Sequence, residues 1–281
     1  MGHIRLGVLV PLQEPVKVAI RKARELGFST CQVICWDIGL YRRDLAQRLE
    51  VTARQLGVEI TSLWSGTVGE YVWDFQSGPA TIGLVPEDLR PARVEALKRA
   101  SDFAKWIGAP SVTTHVGFIP ENPADPLYPG LIAALTEVAT CCAKNGQSFW
   151  FETGQETPVT LLRAIQDVGA ANLGINLDPA NLLIYGKGNP IDALDILGAY
   201  VRGVHAKDGE YPTDPRQLGQ EKPLGKGRVD FPALVTKLDA LDYQGTLTIE
   251  REITGSQQIA DIESGKAYLE RILSDMEVDY E

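Results

Sequence analysis

Short apolar runs alternate with longer amphipathic segments along the whole chain. The runs are rich in β-branched and aromatic residues and are bounded by glycine, proline or polar residues, which is typical of strands. Many are apolar at nearly every position, as in parallel strands that helices cover. Eight runs have these properties: IRLGVLV (4–10), TCQVICW (30–36), EITSLWS (59–65), SVTTHVG (111–117), QSFWFETG (147–154), LGINLDP (173–179), VRGVHAKD (201–208) and TLTIERE (246–252).

The segments that follow these runs predict eight helices. Several of them end in a glycine just before the next strand, as at Gly27, Gly57, Gly108 and Gly146, where a left-handed residue closes a helix. The predicted helices cover residues 14–26, 41–56, 91–107, 129–145, 157–169, 190–199, 231–241 and 257–273.

Eight successive strand–helix units predict an α/β fold, a single (β/α)8 TIM barrel formed by residues 1–281 as one domain. A doubly wound open sheet is the alternative, but no G-x-G-x-x-G follows the first strand. Three long loops, 66–90, 118–128 and 209–229, leave the carboxyl ends of strands, where barrel active sites lie.

Four residues that divalent metals accept as ligands end the last four predicted strands: Glu152, Asp178, His205 and Glu250. One such residue alone would suit a helix N-cap or a solvated loop. Because the carboxyl ends of parallel barrel strands form one rim, we expect all four side chains to converge. Three carboxylates beside an imidazole would repel one another without a cation. The oxygen-rich set favours one Mn²⁺ ion, with Mg²⁺, Co²⁺ or Zn²⁺ as alternatives.

Other polar residues near these ends are candidate substrate contacts. His115 ends the fourth strand, either as a histidine of the pocket floor or as a substrate contact. Glu156 could bind a substrate hydroxyl or cap the helix that begins near Thr157. Lys207 shares strand parity with His205, so it points inward unless it is a surface lysine.

Aromatic and basic residues complete the candidate set. Trp36 and Trp64 end the second and third strands, where an indole can stack on a sugar face or pack the barrel top. Trp73 lies in a long loop and could act as a lid. Arg216 could meet a phosphate, but the weak PLGKG (223–227) is the nearest match to a phosphate nest, so a non-phosphorylated substrate is favoured.

Charge and composition narrow the partners. The net charge of −10 argues against nucleic acid and fits a small neutral or metal-bridged sugar. Cys31, Cys35, Cys141 and Cys142 form no Cys-x-x-Cys pair, which indicates reduced thiols in a cytoplasmic protein. Neither a signal-peptide layout nor a run of about 18 apolar residues is present, so no membrane partner is expected. We expect a homo-oligomer, either a dimer or a tetramer.

Six motifs, taken in order, resemble those of the sugar phosphate isomerase/epimerase family of xylose isomerase-like TIM barrels, which is related to ketose 3-epimerases and endonuclease IV-type barrels. The resemblance covers nearly the whole chain. The motifs are THVG (114–117), FETG (151–154), NLDPAN (176–181), VHAKD (204–208), PLGKGRVDF (223–231) and TIERE (248–252).

The resemblance implies that Glu152, Asp178, His205 and Glu250 bind one divalent metal. It also implies that Glu152 and Glu250 serve as acid and base on opposite faces of a bound ketose. A metal that polarises a carbonyl would stabilise the enediolate formed by proton removal, so a metal-dependent sugar isomerase or epimerase is expected. A lyase or dehydratase on a keto-sugar or keto-cyclitol is the alternative. A barrel that only binds a ligand or partner is disfavoured because the quartet is intact.

Two departures from relatives bear on the substrate. Endonuclease IV-type enzymes carry an added histidine three residues after the strand-six aspartate, where this chain has Asn181. They also carry an Asp-x-His pair where this chain has Asp214-Pro215-Arg216. DNA repair is therefore not expected. Asn181 remains a candidate substrate contact. Several epimerases carry histidine at this position, so their substrate contacts do not transfer directly to this chain.

Overall fold

Eight parallel strands close into a barrel in the computed structural model, which describes residues 3–13, 15 and 17–281. Each strand pairs with the next along the chain, and the eighth pairs with the first. The predicted TIM barrel is confirmed. Its strands are β1 (His3–Pro11), β2 (Thr30–Cys35), β3 (Glu59–Ser65), β4 (Ser111–His115), β5 (Ser148–Glu152), β6 (Leu173–Leu177), β7 (Val201–Ala206) and β8 (Thr246–Ile249).

Helices lie between the strands and cover the barrel. Seven of the eight predicted helices have both ends within two residues of those observed; for the other, predicted over 14–26, residues 14 and 16 lie outside the described residues. The helices are α1 (Lys17–Glu25), α2 (Arg43–Leu56), α3 (Arg90–Trp106), α4 (Leu127–Lys144), α5 (Pro158–Val168), α6 (Pro190–Leu197), α7 (Phe231–Ala240) and α8 (Ser256–Asp275). No helix among the described residues is both long and apolar enough to cross a membrane.

Three helix starts share one local pattern, a capping side chain followed by proline. Thr157, Asp178 and Asn189 each accept a hydrogen bond from a backbone N–H of the first turn. Proline follows each of them, where its missing N–H and fixed φ suit the first helical position. Asp178 begins a short helix, Pro179–Ile184, that the sequence did not predict.

The predicted strands at the active end are too long because the chain leaves the barrel ladder early. The sixth and eighth runs stop pairing at Leu177 and Ile249. The run predicted over 201–208 divides: β7 ends at Ala206, and the pair Asp208–Gly209 joins Glu221–Lys222 in a separate antiparallel sheet. The residues predicted to coordinate a metal therefore lie where the strands end and the loops begin.

Polar side chains occupy part of the barrel interior, whereas the apolar core lies between strands and helices. The Gln32 side-chain amide donates to Asn176 Oδ1 at 3.0 Å, and the Ser62 and Thr113 hydroxyls lie 2.7 Å apart. Trp150 fills space beside Gly174, where a Cβ would lie 2.6 Å from the indole ring. The interior therefore carries hydrogen-bonding groups up to the rim.

The loop between β3 and α3 is fastened to the barrel top. Leu84 N–H donates to Val116 O at 2.9 Å, and the adjacent Gly83 has a φ of +72°. A Cβ on Gly83 would lie 2.1 Å from the carbonyl of Val116. Position 83 therefore requires glycine for two reasons: its φ is positive, and a Cβ would overlap the backbone of Val116.

Replacing Gly83 with alanine is expected to lower the free energy of unfolding by roughly 3 kcal/mol or more, because both strain and overlap with backbone arise. Gly57→Ala is the matched control, since its φ is +63° but no described atom lies within 4 Å of the added Cβ. That variant should lose only about 1–2 kcal/mol. Urea unfolding of both variants measures the difference, and equal losses would contradict the described contact.

Candidate metal centre

The four predicted ligands come from neighbouring strand ends. Glu152 is the last residue of β5, and His205 lies one residue before the end of β7. Asp178 directly follows β6. Glu250 directly follows β8, where its N–H donates to Ala206 O at 3.2 Å. Consecutive parallel strands therefore deliver all four side chains to one rim, as predicted.

The quartet forms one compact cluster. One potential ligand atom from each of the four residues lies within 4.8 Å of the others, and all four are buried. His205 Nδ1 lies 3.0 Å from Glu152 Oε1 and 2.8 Å from Glu250 Oε2. Asp178 Oδ2 is 3.8 Å from the same nitrogen. A single cation could contact all four groups with small side-chain movements.

Two carboxylate oxygens in the cluster are left without hydrogen bonds. Asp178 uses Oδ1 to accept from Asn181 N–H at 2.8 Å, so capping occupies one oxygen. Its Oδ2 has no hydrogen-bond partner among the described residues, and Glu250 Oε2 has none once His205 Nδ1, 2.8 Å away, is the unprotonated nitrogen that a metal would need. Buried oxygens without donors are costly, and a divalent cation would satisfy them.

Gln32 orients the imidazole from the opposite wall of the barrel. Its Oε1 lies 3.0 Å from His205 Nε2, while its amide nitrogen donates to Asn176 Oδ1. With that amide orientation, Nε2 carries the proton and donates to Gln32. With a metal bound, the lone pair of Nδ1 would then face the ion, as a metal-ligating histidine requires, whereas without a metal the carboxylates favour a proton on Nδ1. Gln32 was not predicted; a polar residue inside the apolar run TCQVICW was its only signal.

The three buried carboxylates of the cluster are stabilised by nearby positive charge. Burial opposes ionisation of Glu152, but His115 and His205 lower its pKa below the ordinary value. Burial likewise opposes ionisation of Glu250, and Lys207 and His205 lower its pKa. Burial disfavours the charged form of His205, yet Glu152 and Glu250 raise its pKa well above the ordinary value. The residues present therefore fit a divalent metal ion.

Glu152 is held by neighbours from two other strands and from the short helix Pro179–Ile184. Trp64 Nε1 donates to Glu152 Oε2, and Asn181 Nδ2 lies 3.4 Å from Glu152 Oε1. His115 Nε2 lies 3.8 Å from Glu152 Oε2, and the two residues pair in register between β4 and β5. The predicted contacts His115, Trp64 and Asn181 are thus brought to the cluster.

Lys207 lies inside the cluster, so the alternative of a surface lysine is wrong. Only 2% of the residue is exposed, and Nζ lies 3.6 Å from Asp178 Oδ2 and 3.7 Å from Glu250 Oε2. A closer pair, at 2.6 Å, joins it to the half-exposed Glu252. Burial opposes its charge, but Glu250 and Glu252 raise the pKa of Lys207 well above its ordinary value.

The cluster opens into a cleft of about 1290 Å³. Glu152 and Glu250 both line this cleft, as do His115, Asn181, Trp36 and Trp64. Trp36 is 47% exposed, whereas Trp64 is 3% exposed. Both carboxylates predicted to move protons therefore face a space that a substrate can enter.

Two predicted substrate contacts lie elsewhere. Glu156 is buried but does not line the cleft, and its oxygens have no hydrogen-bond partner among the described residues. It does not cap α5, because Thr157 performs that role. Arg216 is exposed and is absent from the described cleft lining; it lies in the tip between the paired segments Asp208–Gly209 and Glu221–Lys222. The structure therefore gives no support to a phosphate contact by Arg216.

The model of the xylose isomerase-like TIM barrel family matches residues 20–272. The chain belongs to this family. The resemblance carried by the six motifs is confirmed. Among solved structures, a xylose isomerase domain protein from Planctomyces limnophilus is 38% identical, with a TM-score of 0.90 over 96% of this chain and 97% of that one.

More distant matches agree on the barrel. A D-tagatose 3-epimerase-like protein is 22% identical, with a TM-score of 0.74 over 96% of this chain and 100% of that one, which shows the fold alone. An uncharacterised protein of Methanocaldococcus jannaschii is 26% identical over 201 residues. That match covers 66% of this chain and 64% of the relative, less than two thirds of its length.

Replacing Gln32 with methionine is expected to weaken Mn²⁺ binding about 10–100-fold, because the imidazole loses the acceptor that fixes its tautomer. Asp178→Asn keeps the helix cap but loses an anionic oxygen, and should bind more weakly still. Calorimetric titration with Mn²⁺ measures both affinities. Glu137→Gln, at an exposed position of α4, is the control and should leave binding unchanged. Unchanged affinity in Gln32→Met would show that this hydrogen bond does not orient the ligand.

Glu156→Gln is expected to change how stability depends on pH. Burial raises the pKa of Glu156 from 4.5 to about 8, so the folded protein holds this proton more tightly than the unfolded chain. Its stabilising contribution is complete below pH 4.5 and is lost as the pH rises towards 8. The free energy of unfolding of the glutamine variant, relative to that of the wild type, should therefore rise by roughly 2–4 kcal/mol between pH 5 and 8.5. Urea unfolding across this range tests the trend; a gap that does not widen would contradict it.

Proposed function

We propose that the protein is a divalent-metal-dependent isomerase or epimerase that moves a proton next to the carbonyl of a keto-sugar. The observation that carries the proposal is that two carboxylates of the metal-fitting quartet, Glu152 and Glu250, also line the cleft. Bound at the quartet, a metal ion such as Mn²⁺ would polarise the substrate carbonyl and make the adjacent C–H more acidic.

The two glutamates are suited to proton transfer because each is ionised and held in place. Trp64 and Asn181 fix the carboxylate of Glu152, and Lys207 lies beside that of Glu250. Glu152 and Glu250 approach His205 Nδ1 from different strand ends, so a reacting carbon held at the mouth of the cluster could be reached by either carboxylate. One carboxylate would take the proton from carbon, and the other carboxylate, after it has gained a proton from solvent, would return one.

Nearby polar groups can orient the sugar hydroxyls. Asn181 lines the cleft, and so does His115, whose Nδ1 has no hydrogen-bond partner within the described part of the chain. A histidine that lines a cleft and has a ring nitrogen without a partner is suited to contact a substrate hydroxyl. These contacts would position the carbon acid against the carboxylates.

Glu152→Gln and Glu250→Gln are each expected to lower kcat about 10²–10⁴-fold, since glutamine cannot carry the proton. Turnover is followed by NMR in D₂O with added Mn²⁺, over a panel of ketoses, inososes and keto-glycosides. Deuterium in the recovered sugar reports the proton transfer itself. Glu137→Gln is the matched control, at an exposed position of α4, and should retain full activity.

Product structure separates the related chemistries. An epimer or an aldose–ketose pair that carries deuterium supports the proposal. Loss of water from the sugar would assign a lyase to the same site. Full metal-dependent turnover in both glutamine variants would overturn the roles of the two carboxylates.

A further inference from the structure

Three tryptophans line the cleft and one tyrosine packs against them, a group that we call the aromatic wall: Trp36, Trp64 and Trp73, with Tyr71. The ring centroids of Trp36 and Trp64 are 4.8 Å apart, and those of Trp36 and Tyr71 are 5.3 Å apart. Trp73 stacks beside Tyr71 at 5.7 Å with an interplanar angle of 28°. Trp36 meets Tyr71 and Trp73 nearly edge-on, at interplanar angles of 76° and 79°, so the wall is a corner of contacting apolar rings.

The aromatic wall begins at the metal centre and ends in solvent. At its inner end Trp64 donates to Glu152, and His115 lies against Trp64 and Trp73 with centroid distances of 5.6 and 5.3 Å. At its outer end Trp36 is 47% and Trp73 40% exposed. A ligand held at the quartet would therefore meet the wall as it extends outward.

Arg93 holds the wall in a fixed position. This arginine is fully buried, and its guanidinium donates to the carbonyl oxygens of Val68, Glu70 and Gly83 at 2.6–3.1 Å. The same group lies 4.6 Å from the centre of the Tyr71 ring. The loop with Tyr71 and Trp73 is thus fastened to α3, which argues against the predicted lid and for a preformed surface.

The outer cleft suits a neutral ring better than a phosphate. Arg251, the cation that directly follows Glu250, is already paired with Glu221 at 2.5 Å and with Asp261 at 2.7 Å, whereas the cations Arg21 and Lys22 of the described lining lie on α1. Apolar side chains such as Ile253 and Leu218 also line the cleft. Its volume of about 1290 Å³ exceeds the roughly 300–1,000 Å³ typical of small-ligand pockets, so a single sugar at the quartet would leave the outer part unfilled.

We propose that Trp36 and Trp73 form a subsite for a neutral second ring, so that the substrate is a keto-sugar with a ring-shaped substituent, a glycoside rather than a free monosaccharide. The planes of the two exposed indoles meet at 79° with centroids 6.0 Å apart, so that ring, whether a sugar or an aromatic aglycone, lies face-on to one indole and edge-on to the other. The identity of the reacting half rests on the function proposed above, whereas the subsite rests on the wall itself.

Binding of phenyl and methyl β-D-glucopyranoside to the Mn²⁺-loaded protein tests the subsite without any turnover. Calorimetry should show tighter binding of the phenyl glucoside, and Trp36→Ala and Trp73→Ala should each reduce that preference roughly 3- to 10-fold. The affinity of both alanine variants for the methyl glucoside should be nearly the same as that of the wild type. Trp36→Phe should keep most of the preference, because an aromatic face remains.

Trp106→Ala is the matched control, since this tryptophan lies on α3 beneath the guanidinium of Arg43 and outside the cleft. It should preserve the preference for phenyl. Equal affinity for the two glucosides, no measurable binding of either, or the same loss in Trp106→Ala would overturn the subsite. If the phenyl preference and its loss in Trp73→Ala are seen without any deuterium exchange, the subsite stands and the proposed reaction fails.

Discussion

Burying three carboxylates around one imidazole is the constraint on which the rest of the structure depends. Each buried charge loses its hydration, and the carboxylates repel one another, so the arrangement persists only if positive charge compensates it. Lys207 supplies part of that charge, and a divalent ion would supply the rest. The capping bond of Asp178 and the indole of Trp64 then hold the carboxylates in one geometry.

The sequence predicted the barrel and the quartet well because both follow from local patterns. Strand ends of a parallel barrel meet at one rim, so Glu152, Asp178, His205 and Glu250 could be assigned to one place from their positions in apolar runs. Strand parity also placed Lys207 correctly inside. No three-dimensional information beyond the closure of the sheet was needed for these residues.

Residues whose role depends on contacts across the barrel or on loop paths were harder to predict. Gln32 meets His205 across the interior, and nothing in β2 alone indicates that distance. Arg216 looked well placed after β7, but the antiparallel pairing of Asp208–Gly209 carries the loop tip into solvent. Glu156 is buried without a hydrogen-bond partner among the described residues. This depends on the path of the chain between β5 and α5, which no spacing rule describes.

The bond between Gln32 and His205 has a consequence for how the barrel can be divided. All four candidate ligands belong to the C-terminal half of the chain, β5 to β8, whereas the residue that fixes the imidazole belongs to the N-terminal half. A half-barrel fragment with β5–β8 would contain the complete donor set but not its correct tautomer. Recombination of halves between relatives must therefore keep a hydrogen-bond acceptor at position 32.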